Sequence, residues 1–401
     1  MKKLFSIFAL AIITAAGFTA CNDDDNEWVD PNGEPLKVIS NETSFSAPAS
    51  TGSIVVDTQD PVTVTSNDNG WVTTTVNGNT IEVAVEENRE LDGRVATLTI
   101  KAGSKKTDVS IVQSGAIFKI DLDHIYRSSN SAYTTSAKVT ANLPVTFAAS
   151  SDWITATYDE EAGALTVKLT ANTTKHMRQG YIEYTCGNTT GRIPVKQCVF
   201  STDLVGDYSL VFLDDEDNKY KAFAVKVAGT ATNCRIEIPA LNLTMPIKYN
   251  TSTFTFSVAG GQQMGTYQIG DVNYTVATLM LDNAKGRITW NTAVTMSAEV
   301  VNGYLSNGDL VTIAEFEDDG LWSGYTVDGL CWGAFKAATL NSTNYAGNLV
   351  TMITPYLLRT DVAASTSTST TSAKGMKMSP TTNAQPAAVK LQPADNVKIA
   401  Y

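Results

Sequence analysis

The sequence predicts an all-β protein that contains two immunoglobulin-like β-sandwiches followed by a larger antiparallel β-barrel or sandwich. Short runs of alternating apolar and polar residues recur along the chain, and turn pairs such as Asn-Gly separate them. Only 17% of the residues are charged and 43% are hydrophobic, while Thr, Ser, Val and Asn are abundant, and this balance favours strands. The 401 residues are enough for two or three domains.

The chain is acidic, with 29 Lys and Arg against 41 Asp and Glu and a net charge of −12. A negative surface repels phosphate backbones, so nucleic acid is not an expected partner. Histidine occurs only at His124 and His176, and neither lies near a Gly-x-Ser-x-Gly motif. The sequence therefore predicts no catalytic residue, no metal site and no cofactor.

Residues 1–20 have the order of a signal peptide: two lysines, then an apolar run from Leu4 to Phe18 that is shorter than a membrane span of ~20 residues. The run ends in small residues before Cys21, which resembles the lipobox of bacterial lipoproteins. This resemblance implies cleavage before Cys21 and attachment of lipid to it, and three acyl chains anchor a protein firmly. The alternative is an ordinary secretory signal with an incidental cysteine.

The tether at residues 21–37 begins with an acidic run. Asn22, Asp23, Asp24 and Asp25 resemble the export signal that sends Bacteroidetes lipoproteins to the outer face of the outer membrane. The resemblance implies a lipid-anchored protein that faces the cell exterior. The alternative is a solvated linker, since charge runs are commonly exposed.

Residues 38–115 are predicted to form the first sandwich. Alternation is clear at Ile81, Val83 and Val85, and Asn69-Gly70 and Asn77-Gly78 are turn dipeptides that accept positive φ. Six or seven short strands in ~75 residues indicate a small immunoglobulin-like sandwich.

Residues 116–198 repeat this plan and predict a second sandwich. Trp71 follows a short strand and lies 42 residues before Gln113, while Trp153 lies in the same context 44 residues before Gln197. A repeat of ~80 residues indicates tandem modules rather than a solenoid.

The Trp, the strand from Gly93 to Ile100 and the closing Val-x-Gln resemble the BACON family of Bacteroidetes surface proteins. In the second copy, Arg178-Gln179-Gly180 replaces the Gly-Arg start of that strand. The resemblance implies carbohydrate binding or a spacer role, without a fixed set of binding residues. Trp71 and Trp153 are predicted to fill the sandwich cores, with sugar platforms as the alternative.

Residues 199–360 are predicted to form the C-terminal β-domain. Alternation from Ile288 to Val300 predicts one long strand with a buried face. Many strands joined by tight turns predict an up-and-down barrel or a further sandwich. The opening Gly206-Asp207-Tyr208 resembles lipocalin-like barrels, which enclose a small ligand or are filled by side chains.

Residues 361–401 form a low-complexity tail that is predicted to be mostly disordered. Four lysines against two aspartates oppose the charge of the rest of the chain. Val397, Ile399 and Tyr401 alternate, and pairing with an open sheet edge is an alternative for this end.

The candidate ligand-binding residues are Trp322, Tyr325, Trp332 and Asp328, in a stretch where four aromatics alternate with glycines. Flat rings stack on the C–H face of a sugar, and a carboxylate accepts its hydroxyl groups. Binding requires these rings to be exposed in one concavity. The alternative, closure of a barrel end, requires them to be buried.

The remaining polar and cysteine motifs predict structure rather than chemistry. Cys186 and Cys198 flank a hairpin too far apart for a disulfide, while pairing of Cys234 with Cys331 stays open. Asp214–Asn218 is predicted to be a charged hairpin tip, with calcium binding as the alternative. The nearest approach to a hydrolase carboxylate cluster is predicted to be an exposed strand end; it contains Glu315, Glu317, Asp318 and Asp319.

Together these features predict a non-enzymatic surface lipoprotein. Two BACON-like modules would space the C-terminal β-domain from the outer membrane, and that domain would bind a glycan or another small ligand. The expected partners are the membrane, through the lipid anchor, a glycan, and other surface proteins. The alternatives are a structural surface protein without a ligand site and a carboxylate-dependent glycan hydrolase.

Overall fold

The computed structural model describes residues 35–174, 176–305, 309–359, 384–393 and 398–399. Strands make up 61% of the chain and helices 2%, which confirms the predicted all-β class. Contacts divide the chain into two units. Of the described residues, the first unit contains 35–87 and 94–114, and the second contains 88–93 and those after 114.

The first sandwich has two sheets of four strands. The strands are β1 (Val38–Asn41), β2 (Ser44–Phe45), β3 (Ser50–Val56), β4 (Val62–Ser66), β5 (Val72–Asn77), β6 (Thr80–Val85), β7 (Arg94–Ala102) and β8 (Lys105–Gln113). The sheet orders are β1-β3-β6-β5 and β2-β8-β7-β4. Alternate residues such as Ile81, Val83 and Leu98 are buried between the sheets, as the period of two requires.

The second sandwich has the same plan. Its strands are β9 (Phe118–Ile120), β10 (Ile125–Arg127), β11 (Tyr133–Ala141), β12 (Val145–Ala149), β13 (Ile154–Asp159), β14 (Ala164–Leu169), β15 (Arg178–Cys186) and β16 (Thr189–Gln197). The sheet orders, β9-β11-β14-β13 and β10-β16-β15-β12, reproduce those of the first sandwich strand for strand. The internal repeat read from the sequence is thus a repeat of topology.

A closed barrel of eight strands follows a π-helical turn at Phe200–Leu204. Its strands are β17 (Gly206–Asp214), β18 (Tyr220–Thr230), β19 (Asn233–Ile238), β20 (Leu243–Asn250), β21 (Thr255–Ala259), β25 (Thr295–Tyr304), β26 (Leu310–Glu315) and β29 (Tyr345–Arg359). A 3₁₀ turn, Pro239–Leu241, joins β19 to β20. The ring closes because β29 pairs with β17 as well as with β26.

Further strands add to the barrel sheet, four of them beyond β29. They are β22 (Gln263–Ile269), β23 (Val272–Asp282), β24 (Arg287–Thr289), β27 (Glu317–Asp318) and β28 (Gly329–Phe335). β28 pairs with the first half of β29, β23 pairs with β28, and β22 and β24 pair with β23. β27 pairs with β25. Strand β29, with 15 residues, therefore joins the ring to this extension.

The barrel interior is filled by large apolar side chains, among them Phe212, Phe256 and Trp332, each at most 1% exposed. At one end, the Arg359 guanidinium lies over the Tyr208 ring at 5.7 Å and donates to the carbonyl of Asp203 at 3.1 Å. Gly206 has a φ of 152°, which favours glycine, and a side chain there would also come within 3.2 Å of that guanidinium.

The predicted long strand from Ile288 to Val300 is wrong, because the structure divides it into β24 and β25. Asn291 makes the break: its side-chain oxygen accepts from the amide of Ala293, and its carbonyl accepts from the amide of Val294. An Asn that bonds its own backbone favours a turn over a strand. The alternating burial resumes at Val294.

The second sandwich is fixed to the barrel by polar contacts. The Lys196 ammonium, 7% exposed, donates to Glu299 Oε1 at 2.5 Å. Gln179 and Asn302 bond reciprocally: the Gln179 amide donates to the Asn302 carbonyl and its oxygen accepts from the Asn302 amide, both at 2.9 Å. Two directed contacts of this kind define one orientation of the sandwich on the barrel.

Part of the C-terminal tail lies on the barrel as short strands. These are β30 (Gln385–Pro386), β31 (Gln392–Pro393) and β32 (Lys398–Ile399), which pair with β18, β29 and β24 respectively. The pairing of Lys398–Ile399 matches the sequence alternative in which this end joins an open sheet edge. Most of the region predicted to be disordered lies outside the described residues, namely residues 361–383, 394–397 and 400–401.

Candidate functional site

The structure corrects the predicted aromatic binding surface. Trp332, on β28, is fully buried in the barrel interior, where its ring lies 4.9 Å from that of Phe223. Trp322 is 6% exposed and belongs to the same core. Since neither indole offers a free face, the expected exposed concavity with Tyr325 is not formed, and these rings fill the barrel as large apolar side chains generally do.

A neighbouring turn holds the loop that contains Tyr325. The Trp322 and Tyr325 rings lie 4.5 Å apart, and the Lys285 ammonium lies 5.0 Å from the Tyr325 ring. That ammonium donates to the carbonyl of Gly324 at 2.5 Å. Asp282, which is buried, accepts from the amide of Thr326 at 3.0 Å.

Asp328, the fourth predicted ligand residue, has a structural partner. Its carboxylate accepts from the backbone amide of Asn283 at 2.7 Å. Burial raises the pKa of Asp328, the Asn283 hydrogen bond lowers it, and the nearby negative charge of Asp282 raises it further. Asp328 thus fastens the loop to the turn between β23 and β24.

A cleft of about 430 Å³ lies on the other side of this turn. Its walls come from the β17–β18 hairpin tip, the β23–β24 turn, β29 and the C-terminal segment. The lining residues are Asp215, Glu216, Leu281, Asn283, Gly286, Asn348, Thr351, Lys390, Leu391 and Gln392. Carboxylates, amides, a hydroxyl and an ammonium dominate this set, so the cleft can exchange several hydrogen bonds with a polar ligand.

A chain of side-chain hydrogen bonds organises one wall of the cleft. The Tyr345 hydroxyl donates to Asn348 at 2.8 Å, and the Asn348 amide donates to the Thr351 hydroxyl at 3.3 Å. That hydroxyl donates to Gln392 at 3.3 Å, and the Gln392 amide donates to Glu216 at 3.0 Å. Because successive groups fix one another, the polar atoms of this wall are preorganised.

The two acidic groups at the hairpin tip differ in pKa. Desolvation raises the pKa of Asp215, although a hydrogen bond from Gln392 opposes the change. The pKa of Asp214 is lowered: desolvation alone would raise it, but hydrogen bonds, chiefly from Lys221 at 3.0 Å, outweigh the effect of burial. Asp215, at the cleft, is therefore the more readily protonated.

The acidic segment is a hairpin tip, as the sequence predicted. Asp214 accepts from the backbone amides of Glu216 and Asp217 at 3.1 and 3.3 Å, and Asn218 adopts a positive φ of 54°. Within the described ranges, no group of three or more His, Cys, Asp or Glu side chains is placed to hold a metal ion.

The acidic residues after β26 also have structural partners. Asp319 accepts hydrogen bonds from the hydroxyls of Thr295 and Ser297, the latter at 2.8 Å. Asp318 accepts from the amide of Gly320 at 3.0 Å. These bonds join β27 and the following turn to β25.

The four described cysteines are buried, and no disulfide joins any two of them. This confirms the predicted absence of a Cys186–Cys198 disulfide, and it answers the open question on Cys234 and Cys331, which are not bonded to each other. Desolvation raises the pKa of Cys198 and that of Cys331 to about 12. The thiolate, which is the reactive form, is thus suppressed.

The repeated tryptophans are parts of a structural cluster in each sandwich. The Arg94 guanidinium covers the Trp71 ring at 4.5 Å and donates to Gln113 at 2.9 Å. Gln113 is fully buried, and its amide donates to the carbonyls of Ser46 and Ala47, each at 3.1 Å. The cluster therefore closes one end of the sandwich, and the Trp71 face is not free for a sugar.

The second sandwich has the same cluster. Arg178 covers Trp153 at 4.2 Å and donates to Gln197 at 2.7 Å. Arg178 precedes Gln197 by 19 residues, as Arg94 precedes Gln113. The departure noted in the second copy is thus confined to the residue before the arginine, where Met177 replaces Gly93, because Arg178 is the equivalent of Arg94. The shared spacing of 19 residues was the signal that would have revealed it.

The histidines have no site around them. His124 Nδ1 lies 2.9 Å from the exposed carboxylate of Asp123, and His176 provides a backbone carbonyl to Asn172 at 2.8 Å. The predicted lipid-attachment residue Cys21 and the export residues Asn22 to Asp25 lie outside the described residues. Throughout the part of the chain that the structure describes, no helix is long and apolar enough to cross a bilayer.

Comparison with protein families identifies the modules. Residues 61–114 and 135–197 match the BACON family, whose description reads "Putative binding domain, N-terminal". The first match covers β4 to β8, and the second covers most of β11 and all of β12 to β16, so the two sandwiches are BACON-like domains. No curated protein matches the chain.

Solved structures resemble the chain only distantly. The I9–I11 tandem from titin is 10% identical, with 60% of this chain and 97% of that chain covered and a TM-score of 0.32. An endo-fucoidan hydrolase of glycoside hydrolase family 107 is 14% identical, with 42% and 29% covered and a TM-score of 0.22. A protein from Bacteroides thetaiotaomicron is 15% identical, with 24% and 98% covered and a TM-score of 0.20. At such TM-scores these likenesses support no further conclusion.

Proposed function

We propose that this protein is a non-enzymatic lipoprotein of the outer cell surface, in which two BACON-like domains carry a barrel that binds a glycan or a similarly polar small ligand. The observation that supports binding is the polar cleft of about 430 Å³ beside β29. Its amide, hydroxyl and carboxylate groups match the alternating donors and acceptors of a sugar. The family match to a binding domain supports a binding role for the protein, but it covers the sandwiches and not the barrel.

The cleft replaces the aromatic loop as the proposed site. The loop residues Trp322 and Trp332 are buried, whereas Asp215 and Asn283 lie at the cleft with exposed surface. A ligand there would contact the preorganised wall formed by Asn348 and Thr351. Preorganised polar groups favour binding because they need not be ordered when the ligand arrives.

A glycan array probed with residues 22–401 tests this proposal. The expected result is saturable binding that the double substitution Asp215→Ala and Asn283→Ala weakens by about tenfold or more. Asp271→Ala with Asn273→Ala is the matched control, because it removes the same two side-chain types from an exposed hairpin. Binding that both double variants retain equally would place the site elsewhere, and an array without any binding would overturn the proposal.

A structural protein without a ligand site is the second candidate. Burial of Trp322 and Trp332 favours it, because that alternative required the aromatic residues to be core. The fixed joint between the second sandwich and the barrel also suits a spacer. A negative array together with normal surface display would establish this candidate.

Lipid anchoring is tested separately in cells. Metabolic labelling with a fatty-acid analogue should label the wild-type chain, and Cys21→Ser should abolish the label because the acceptor thiol is lost. Protease added to intact cells should digest the wild-type protein if it faces the exterior. Replacement of Asp23, Asp24 and Asp25 by Ala should protect the protein while leaving its lipid label intact.

A further inference from the structure

Residues 384–393, here called the strap, lie across an end of the barrel. One face of the strap is apolar and the other is polar. Ala387, Val389 and Leu391 are half-buried and pack against the barrel core. The residues that alternate with them, Lys390 and Gln392, line the polar cleft, and Leu391 also contacts it. The strap is thus an extended segment whose alternation matches an apolar barrel on one side and the cleft on the other.

The strap uses strand edges that the barrel leaves open. β19 pairs with residues 226–230 of β18, so the preceding part of that edge has no partner within the ring. The strap pairs there, with Gln385 opposite Lys221, and the Ala387 amide donates to the Ala222 carbonyl at 2.9 Å. A free strand edge accepts an added strand readily.

A second open edge lies on β29. β17 pairs with residues 352–358 of β29, and the strap takes the edge before them, with Gln392 opposite Asn348. The Lys390 amide donates to the Leu349 carbonyl at 3.2 Å. Backbone pairing at each edge covers only two residues, so the strap has few hydrogen bonds for its length.

Charge also favours the position of the strap at these strand edges. The Lys390 ammonium lies 3.7 Å from Glu216, on the acidic hairpin tip between β17 and β18. The chain after Arg359 contains four lysines and two aspartates, whereas the whole chain has a net charge of −12. A cationic strand and an acidic hairpin tip attract each other, and salt weakens this attraction at exposed sites.

We propose that these two edges and the hairpin tip form a strand-acceptor site, and that the strap is a separable occupant of it rather than a permanent part of the barrel. The strap leaves and returns as one unit, and the same segment supplied in trans binds the vacated site. Departure removes Lys390, Leu391 and Gln392 from the cleft, so the strap also controls the shape of that cleft.

The test uses the full chain and a labelled peptide with the sequence of residues 384–393. Val389→Asp with Leu391→Asp should release the strap, because two charges cannot remain against the apolar core. This variant should bind the peptide about tenfold or more tightly than the wild-type protein does, in which the site is occupied. A peptide with the same two substitutions should not bind.

Val272→Asp with Leu321→Asp is the matched control, since it places the same two charges at positions 46% and 58% exposed. It should bind the peptide as weakly as the wild type. Near-ultraviolet circular dichroism confirms that the released variant keeps its tertiary structure. A folded released variant that fails to bind the peptide would overturn the proposal, as would equal binding by the wild type.

Hydrogen exchange on the unmodified protein gives a test that needs no variant. The amides of Ala387 and Lys390 should exchange about a hundredfold or more faster than those of β17 in the closed ring, because they open without the barrel. Equal protection of the strap and β17 amides would show that the strap unfolds only with the barrel and would overturn the proposal.

Discussion

The two sandwiches share the cluster of Trp, Arg and Gln at one end, but the residues on the outer face next to this cluster differ. In the first, Val95 pairs with Val112 on that face, and they are 60% and 39% exposed. At the equivalent register of the second, Gln179 pairs with Lys196, and both contact the barrel. The cluster therefore specifies the fold, whereas residues outside the family signature decide whether a face docks.

This difference explains why the family match alone does not locate a ligand. The signature residues Trp71, Arg94 and Gln113 are engaged with one another and with buried carbonyls. Their counterparts in the second sandwich have the same contacts. The proposed binding function is therefore assigned to the barrel cleft, which lies outside the family match.

The largest expected loss of stability follows from disruption of the cluster of Trp, Arg and Gln that both sandwiches share. Gln113→Ala and Gln197→Ala should each lower the free energy of unfolding of their own sandwich by about 3 kcal/mol, because the arginine and the backbone carbonyls that bond the buried glutamine lose their partner. Urea denaturation gives the size, and peptide-resolved hydrogen exchange assigns it to one sandwich. Gln59→Ala, at an exposed position, is the control. Unequal losses would mean that the two clusters are not equivalent.

A smaller loss of stability is expected at the face of the second sandwich that contacts the barrel, and almost none at the equivalent exposed face of the first sandwich. Lys196→Ala should destabilise the second unit by about 2 kcal/mol, because it breaks an ion pair whose ammonium is buried although Glu299 is half exposed. Val112→Ala, at the equivalent register, should cost about 0.5 kcal/mol or less. Urea denaturation measures both, and faster exchange of the Asn302 amide would localise the loss. Similar costs at the two positions would contradict the distinction.

The last expected effect is absent at neutral pH, appears only at alkaline pH and again differs between the sandwiches. Cys198 follows Gln197, and burial raises the pKa of its thiol from 9.0 to about 12, so its contribution to stability is present below pH 9 and is lost as the pH rises toward 12. The loss amounts to at most about 1.4 kcal/mol per pH unit. Cys198→Ser should therefore flatten the decline in unfolding free energy between pH 9 and pH 10.5.

The matched control for that experiment is Ser114→Cys. Ser114 follows Gln113 and is exposed, so a thiol there should titrate alike in the folded and unfolded states and add no slope. A slope that Cys198→Ser leaves unchanged, or that Ser114→Cys steepens, would show that burial of Cys198 is not its source.

The sequence predicted the parts of the fold that depend on local pattern. Period-two runs and turn dipeptides placed the sandwich strands, and the spacing of Trp71 and Trp153 from their glutamines revealed the repeat. The pattern failed between Ile288 and Val300, where Asn291 bonds its own backbone. Alternation reports which face is buried, but it does not report where a polar side chain stops the strand.

The candidate cleft was beyond prediction because its walls are distant in sequence. The Gln392 side chain contacts Thr351 and Glu216 only because β29 leaves an edge unpaired after β17 ends. Which edge remains open depends on the lengths of all neighbouring strands. The prediction of an exposed aromatic surface failed for a related reason. The composition of that loop suits either a core or a sugar platform, and only the tertiary structure places Trp332 in the barrel interior.

Ring closure between β17 and β29 sets the order in which this chain can fold. Arg359 bonds the carbonyl of Asp203, 156 positions earlier, and Ser209 pairs with Leu358. Each sandwich can complete its contacts from its own stretch of chain, whereas the barrel waits until its last strand has been synthesised. Because contacts of long sequence separation form slowly, the barrel should be the rate-limiting folding unit and the one with the longest-lived exposed strands.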